Sequence, residues 1–137
     1  MDSALFTNVA LGVVLLSASF LIALASVSFF APVLARHFLM GFAATPVRHF
    51  VELTLRLVVG VAFIGSAGSM TAGPVFLVFG WVLVGTTIGL ALIPWQTHRR
   101  FAQRAVPLAA KYISLLGIAS LVGGVCIMVS VFYGSAA

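Results

Sequence analysis

Charged side chains are scarce in this 137-residue chain, where they make up 7% of the residues against 63% hydrophobic residues. Residues 3–34 carry no charge, and neither do residues 57–97. A water-soluble domain of this size needs a polar coat, which so few charges cannot provide. The composition therefore excludes an ordinary soluble domain and indicates an integral membrane protein, with the lipid bilayer as its main partner.

Missing residues also exclude or disfavour several chemistries. Cys126 is the only cysteine, so no intrachain disulfide can form. Asp2 and Glu52 are the only acidic residues, so a paired-carboxylate mechanism has no candidate unless two chains come together. The chain also lacks the sequence motifs of serine hydrolases, P-loop proteins and zinc proteases. These absences favour a protein that is not an enzyme.

Four apolar stretches have about the 20-residue length that a transmembrane helix requires. They predict an all-α integral membrane protein, a single domain with four transmembrane helices in an up-down bundle. The predicted spans are residues 4–30, 46–67, 74–93 and 107–133. Prolines set the boundaries, because Pro32 and Pro94 end spans, whereas Pro46, capped by Thr45, and Pro107 open them.

The basic residues predict an orientation. Residues 35–49 and 96–106 are basic, whereas the middle connection, residues 65–73, carries no charge. Positive residues accumulate on the cytoplasmic side, so both termini and the middle connection are expected on the other side. The side chains expected to contact anionic lipid headgroups on the cytoplasmic face are Arg36, Arg99, Arg100, Arg104 and Lys111.

Other features of these connections bear on partners and location. The basic stretches lack the aromatic and glycine pattern of nucleic-acid-binding modules, so no nucleic-acid partner is expected. No eukaryotic targeting feature is present, which points to the bacterial inner membrane. Residues 33–45 leave two alternatives open, a short amphipathic segment in the membrane interface or a plain extended loop.

One stripe of residues in the second span is the strongest candidate for a polar site. Arg48, Glu52, Arg56 and Gly60 are spaced by four and share one helix face, on which Gly60 is expected to let another helix approach closely. Glu52 is expected about 6 Å below the inner boundary and Arg56 about 12 Å below it. A charge at that depth needs a partner or water. Arg56 could bind an anion or a lipid headgroup in a cavity. Alternatively, Arg56 extends to the interface while Glu52 neutralises a crowded basic surface.

The three histidines, His37, His49 and His98, all map to the basic side of the predicted bundle. Haem held between spans needs axial ligands that face each other from neighbouring helices, and none of these residues lies at mid-depth. A metal site usually adds cysteine or acidic ligands, and only Glu52 is near. The expectation is therefore interfacial histidines, with neither a metal site nor another cofactor.

Small residues predict close helix contacts in the third and fourth spans. Gly85 and Gly89 form a GxxxG element, and Ser120, Gly123 and Gly124 form a second small-residue face. Such faces let helix backbones approach closely. We expect them to pack spans three and four together.

Two resemblances suggest functions. The size and span count are similar to those of the small multidrug-resistance transporters, whose essential glutamate lies in the first span, whereas Glu52 lies in the second. The segment Leu55-Arg56-Leu57-Val58-Val59-Gly60-Val61-Ala62-Phe63 resembles a helix of the DoxX-like four-helix membrane proteins, where it lies in the first span.

The leading hypothesis is an accessory, scaffolding or self-associating membrane component, alone as a homo-oligomer or within a larger membrane complex. The alternative is a small homo-oligomeric transporter or channel for an anion or small metabolite that uses Arg56 and Glu52. Intramembrane charges are few and lie near one surface, which favours the first hypothesis because transport usually needs polar groups near the midplane.

Overall fold

The computed structural model describes residues 2–41 and 45–134, which contain helices and no strand. Six α-helices follow one another along the chain: α1 (Ser3–Phe30), α2 (Pro32–Gly41), α3 (Pro46–Ser66), α4 (Gly73–Leu92), α5 (Trp95–Lys111) and α6 (Ile113–Gly134). A 3₁₀ turn, Ala67–Ser69, extends α3. Helices α1, α3 with its extension, α4 and α6 are long and apolar enough to cross a membrane. The prediction of an all-helical chain with four such helices is confirmed.

Local chemistry explains where several helices begin and end. Thr45 is the N-cap of α3, and its hydroxyl oxygen accepts a hydrogen bond from the Arg48 N–H at 3.3 Å, as predicted. Pro46 occupies the first turn, where a missing N–H costs nothing. Ala31 leaves the helical conformation with φ −140° and ψ 62°, which ends α1. Pro32 then opens α2, so the chain turns from a long span directly into a short helix.

The prediction that Pro107 opens the fourth span is wrong. Pro107 lies inside α5, and the break falls at Tyr112, with φ −105° and ψ 40°. Alanine, glutamine, arginine and lysine dominate residues 102–111, and their high helix propensity continues the helix past the single hydrogen bond that proline removes. The fourth long helix therefore starts at Ile113, and the basic connection before it is a helix instead of a loop.

The alternatives for residues 33–45 are also resolved over most of that segment. Helix α2 covers it as far as Gly41, while residues 42–44 lie outside the described part of the chain. Only Ala35 of α2 is buried, and Val33, Leu34 and Met40 remain exposed. The segment is therefore a short helix that buries one small residue, and its Phe38 ring lies 6.1 Å from that of Phe20 in α1.

The core forms where α1 lies between α6 and α3. Helix α1 makes its most extensive contact with α6 and a second one with α3, and α4 packs against the far side of α3. The buried residues of this core include Val14 and Ala18 of α1, Phe63 of α3, and Ile127 and Val131 of α6. Because most of the large apolar side chains outside this core are exposed, the described helices present an apolar exterior suited to lipid.

Glycines set the closest helix approaches. A Cβ added at Gly124 of α6 would lie 2.9 Å from the Ala18 carbonyl oxygen of α1. A Cβ added at Gly80 of α4 would lie 2.8 Å from the Gly60 carbonyl oxygen of α3. Backbones this close leave no room for a side chain, which is why small residues occupy these positions.

One end of the bundle is closed by the connection between α3 and α4. The Thr71 N–H donates to the Ser130 carbonyl oxygen at 2.9 Å, and the Ser130 hydroxyl donates to the Thr71 carbonyl oxygen. Ala72 adopts a left-handed conformation, with φ 59°, before α4 begins. These contacts place the end of α6 beside the turn that follows α3. The start of α3, the end of α4 and helices α2 and α5 lie at the opposite end, which we term the basic end.

Candidate functional site

The first turns of α3 position three polar side chains along one face at the basic end. His49, Glu52 and Arg56 are separated by three and four residues, which places them on one side of the helix. His49 is only 5% exposed, and the Glu52 side chain is 25% exposed. The face therefore buries an imidazole and leaves a carboxylate half-buried beside it.

Helix α5 brings a second histidine to this face. Ala102 and Ala110 are the buried residues of α5 and His98 is half-buried, whereas Arg99 and Arg100 are exposed. The His98 Nε2 atom lies 3.9 Å from Glu52 Oε2. Since Glu52 and His98 are far apart in the sequence, only the packing of α5 creates this contact.

The two imidazoles lie against each other. The ring centroids of His49 and His98 are 4.5 Å apart, with the planes tilted by 38°. The Nδ1 atoms of both rings are buried and have no hydrogen-bond partner among the described residues. One donor atom from each of His49, His98 and Glu52 can be chosen so that all three lie within 4.8 Å of one another. We term His49, Glu52, Arg56 and His98 the polar cluster.

Arg56 connects the polar cluster to α4. Its Nη1 atom lies 3.6 Å from Glu52 Oε1, so each carboxylate oxygen faces a different partner. The Arg56 Nε atom donates to Thr87 Oγ1 at 3.4 Å, and Nη2 donates to Thr86 Oγ1 at 3.2 Å. The Thr87 hydroxyl in turn donates to the Leu83 carbonyl oxygen at 2.6 Å. The guanidinium group is therefore fixed between a carboxylate and two hydroxyls across the α3–α4 contact.

The predicted stripe is only partly kept together. Glu52 and Arg56 are ion-paired, but Arg48 turns away and donates from Nη1 to the Gly41 carbonyl oxygen at 2.8 Å. Gly60, expected to let another helix approach closely, packs against Gly80 and Val84 of α4. Within the stripe, Arg48 therefore binds α2, Glu52 and Arg56 form an ion pair, and Gly60 is a helix-packing position.

The residues expected to contact lipid headgroups all lie at the basic end and are exposed: Arg36, Arg99, Arg100, Arg104 and Lys111. The Arg99 guanidinium lies 5.5 Å from the ring centroid of Trp95, and the Lys111 ammonium lies 5.5 Å from that of Tyr112. These pairs place cations beside aromatic rings that favour a membrane interface.

The two small-residue faces have different surroundings. Ser120 and Gly124 are buried in α6, and Gly124 packs on α1, while a Cβ at Gly123 would meet only Leu21, at 3.7 Å. A Cβ added at Gly85 or Gly89 would have no described atom within 4 Å. The expected packing of spans three and four through these faces is therefore not made, because α6 uses its small residues against α1 and α4 packs on α3.

Sequence reasoning missed the assembly of His49, Glu52 and His98. It left the histidines as separate interfacial residues, although the i, i+3 spacing of His49 and Glu52 places both on one helix face. His98 carried no such signal, because its partner lies on another helix. Thr86 and Thr87 lie between Gly85 and Gly89, and their role as acceptors for Arg56 depends on which face of α4 meets α3.

Comparison with known proteins adds no relationship: no protein-family model, no curated protein and no solved structure matches this chain. The observations define a class, an all-helical chain with four helices able to span a membrane and a cluster of ionisable side chains at one end. These comparisons add no support to the resemblances to small multidrug-resistance transporters and to DoxX-like proteins.

Proposed function

We propose that this chain is a self-associating integral membrane protein of the bacterial inner membrane, an accessory or scaffolding component that forms a homodimer through α4. The observation that supports this proposal is the pair of glycines, Gly85 and Gly89, which meet no described neighbour within the chain. A close-approach surface that the chain itself leaves unused is suited to a second helix.

The two faces of α4 differ in their contacts. Gly80, Val84 and Thr87 are buried, and at about 100° per residue they lie within about 60° of one another on the side that meets α3. Gly85 and Gly89 lie about 140° and about 180° from Gly80. The glycine element is therefore on the side of α4 opposite α3, where its neighbour is lipid or another protein.

A second copy of the chain is the occupant we propose. Apolar side chains gain little by leaving lipid, so helices in a membrane associate where small residues let their backbones come into contact. A GxxxG face is complementary to itself, and a twofold dimer places the same face of two copies together. The apolar residues beside Gly85 and Gly89 include exposed Val78 and Val82, which could flank such a contact.

The distribution of charge supports an orientation for this assembly. The exposed cations gather at the basic end, and such residues favour the cytoplasmic side and its anionic lipids. We propose that the basic end faces the cytoplasm and that the turn between α3 and α4 faces the opposite side. Helices α2 and α5 then lie at the cytoplasmic interface, where Arg99 and Lys111 reach lipid headgroups.

The association test compares two glycines that both have open space beside them. Gly89→Leu fills the proposed interface, whereas Gly12→Leu adds the same side chain to α1, where a Cβ also has no described neighbour within 4 Å. In lipid nanodiscs or mild detergent, energy transfer between differently labelled copies should show dimers of the wild type. Gly89→Leu should weaken the dimer at least about 10-fold, or about 1.4 kcal/mol.

The Gly12→Leu control shows whether weaker dimerisation is specific to the α4 face. Gly12→Leu should dimerise like the wild type, because α1 is outside the proposed interface. A wild type that stays monomeric at high protein-to-lipid ratio contradicts the proposal, and so does a Gly89→Leu variant that dimerises with unchanged affinity. Native mass spectrometry of the extracted protein reports the same stoichiometry independently.

The transport alternative has less support from the contacts at Arg56. An anion-binding arginine needs donors that point into an accessible path, but this guanidinium is already engaged by Glu52, Thr86 and Thr87. Those bonds join α3 to α4 and neutralise a charge that would be costly inside the membrane. Arg56 is therefore better suited to holding α4 in place than to carrying an anion.

A further inference from the structure

We propose that His49, Glu52 and His98 form a binding site for a divalent first-row transition-metal ion, and that Zn²⁺ is a suitable probe of it. The inference does not depend on dimerisation, because all three side chains belong to one chain. It rests on the donor types, their spacing and the unused ring nitrogens.

The donor set suits such an ion. Two neutral imidazole nitrogens and one carboxylate oxygen are the protein ligands of many zinc sites, and the same set binds other divalent transition metals. His49 and Glu52 come from one helix at i, i+3 spacing, a separation also used by metal sites within helix bundles. His98 supplies the third ligand from α5, and the fourth position remains open to water.

The distances are close to those that coordination requires. Ligand atoms bound tetrahedrally at about 2.1 Å from a metal lie about 3.4 Å apart. Glu52 Oε2 and His98 Nε2 are separated by 3.9 Å, and the whole set of donor atoms lies within 4.8 Å. Coordination would therefore require side-chain rotations that shorten the separations among these donor atoms by up to about 1.4 Å.

The burial and the missing hydrogen bonds of the two histidines also support a metal site. His49 is 5% exposed, and its Nδ1 atom has no hydrogen-bond partner among the described residues, as is true of His98 Nδ1. A metal bond at His49 Nδ1 would remove the desolvation cost of that nitrogen, whereas His98 would bind through Nε2, the atom nearest Glu52. Two adjacent imidazoles beside one carboxylate are thus more consistent with ligands than with packing residues.

Arg56 shapes the site in two opposing ways. It lies beside Glu52 Oε1, which leaves Oε2 directed toward His98 and orients the carboxylate as outer partners of metal ligands do. Its positive charge also repels a cation. We therefore expect weaker binding than in sites that contain several thiolates, and we expect Arg56→Gln to change the affinity without removing the site.

The test measures metal binding directly. The full chain, carrying an affinity tag without histidines, is purified in detergent, stripped of metal, and titrated with Zn²⁺ against a chromophoric chelator. The wild type should bind a single ion per chain, and Co²⁺ should give the visible absorption bands of a tetrahedral nitrogen and oxygen site. His98→Ala and Glu52→Gln should each weaken Zn²⁺ binding by at least about 10-fold.

The matched control is His37→Ala. His37 is an exposed histidine on α2 at the same end of the bundle and is not one of the proposed ligands. Its removal should therefore leave the Zn²⁺ affinity unchanged. Far-UV circular dichroism verifies that each variant keeps its helices. Zn²⁺ affinity that is the same in His98→Ala as in the wild type overturns the proposal, as does equal weakening by His37→Ala or a wild type without saturable binding.

Discussion

Two adjacent glycines of α6 should respond in opposite ways to the same substitution. Gly123 and Gly124 differ by one position, so they share the same depth and helix, but only Gly124 faces the backbone of α1. We predict that Gly124→Ala destabilises the protein and that Gly123→Ala does not. The pair tests directly whether the α1–α6 contact is a backbone contact.

The geometry gives the size of the effect. A Cβ at residue 124 would lie 2.8 Å from Ile22 Cγ1, 2.9 Å from the Ala18 carbonyl oxygen and 3.3 Å from the Ile22 nitrogen. Two of these atoms are backbone and cannot rotate away, so α1 and α6 must separate by about 0.5 Å. Overpacking of this kind costs about 1–3 kcal/mol. Alanine returns up to about 1 kcal/mol of helix propensity, which leaves a net loss of about 1–2 kcal/mol.

The neighbouring position has no such conflict. A Cβ at residue 123 would meet only Leu21 Cδ1, at 3.7 Å, an ordinary van der Waals distance. Gly123→Ala should therefore keep the gain in helix propensity and leave the stability unchanged or raised by up to about 1 kcal/mol. The two variants should differ from each other by about 1–3 kcal/mol, which is a factor of about 5 or more in the unfolding equilibrium.

The assay is reversible unfolding in mixed micelles, in which sodium dodecyl sulfate is increased against a mild detergent and helix content is followed by circular dichroism. A lower midpoint at an unchanged slope reports lost stability without a change in the extent of unfolding. If the free energies of unfolding of Gly124→Ala and Gly123→Ala agree within about 0.5 kcal/mol, the reasoning about backbone contact is refuted.

Two further predictions concern the α3–α4 contact and the orientation. Arg56→Lys should lower the unfolding free energy by about 1 kcal/mol, because one ammonium cannot serve Glu52 and two threonines together, and the effect should shrink in a Thr87→Val background in the same titration. A reporter enzyme active only in the periplasm should be active when inserted at Gly68 and inactive when fused after Arg100. The reverse pattern contradicts the orientation.

The helices themselves were largely predictable. The stretches that form α1, α3 and α4 follow from their apolar length, and Thr45 with Pro46 fixed the start of α3 within the local sequence. Pro107 predicted the wrong start for the fourth span. The residues around it have high helix propensity, which outweighs the hydrogen bond that proline removes. The boundary of a helix depends on small differences between opposing local preferences, whereas the presence of a long apolar helix does not.

The candidate site was only half predictable. The proximity of Glu52 and Arg56 follows from the helix itself, since residues four apart on a helix are neighbours whatever surrounds them. Arg48 belongs to the same stripe in the sequence, but in the structure its side chain donates a hydrogen bond to the Gly41 carbonyl oxygen of α2. His98 joined Glu52 only because α5 packs its inner side on the bundle.

Sequence alone determined that this chain forms long apolar helices with its cations gathered in two segments. Those properties depend on composition and on the need to satisfy every backbone group within a helix in lipid. Tertiary structure alone decided which glycines are buried, since Gly124 and Gly80 meet neighbouring backbones while Gly85 and Gly89 meet none. It also brought His98 to the carboxylate of Glu52. Contacts between distant parts of the chain depend on which helix faces meet, and apolar faces that look alike in sequence leave that choice to packing.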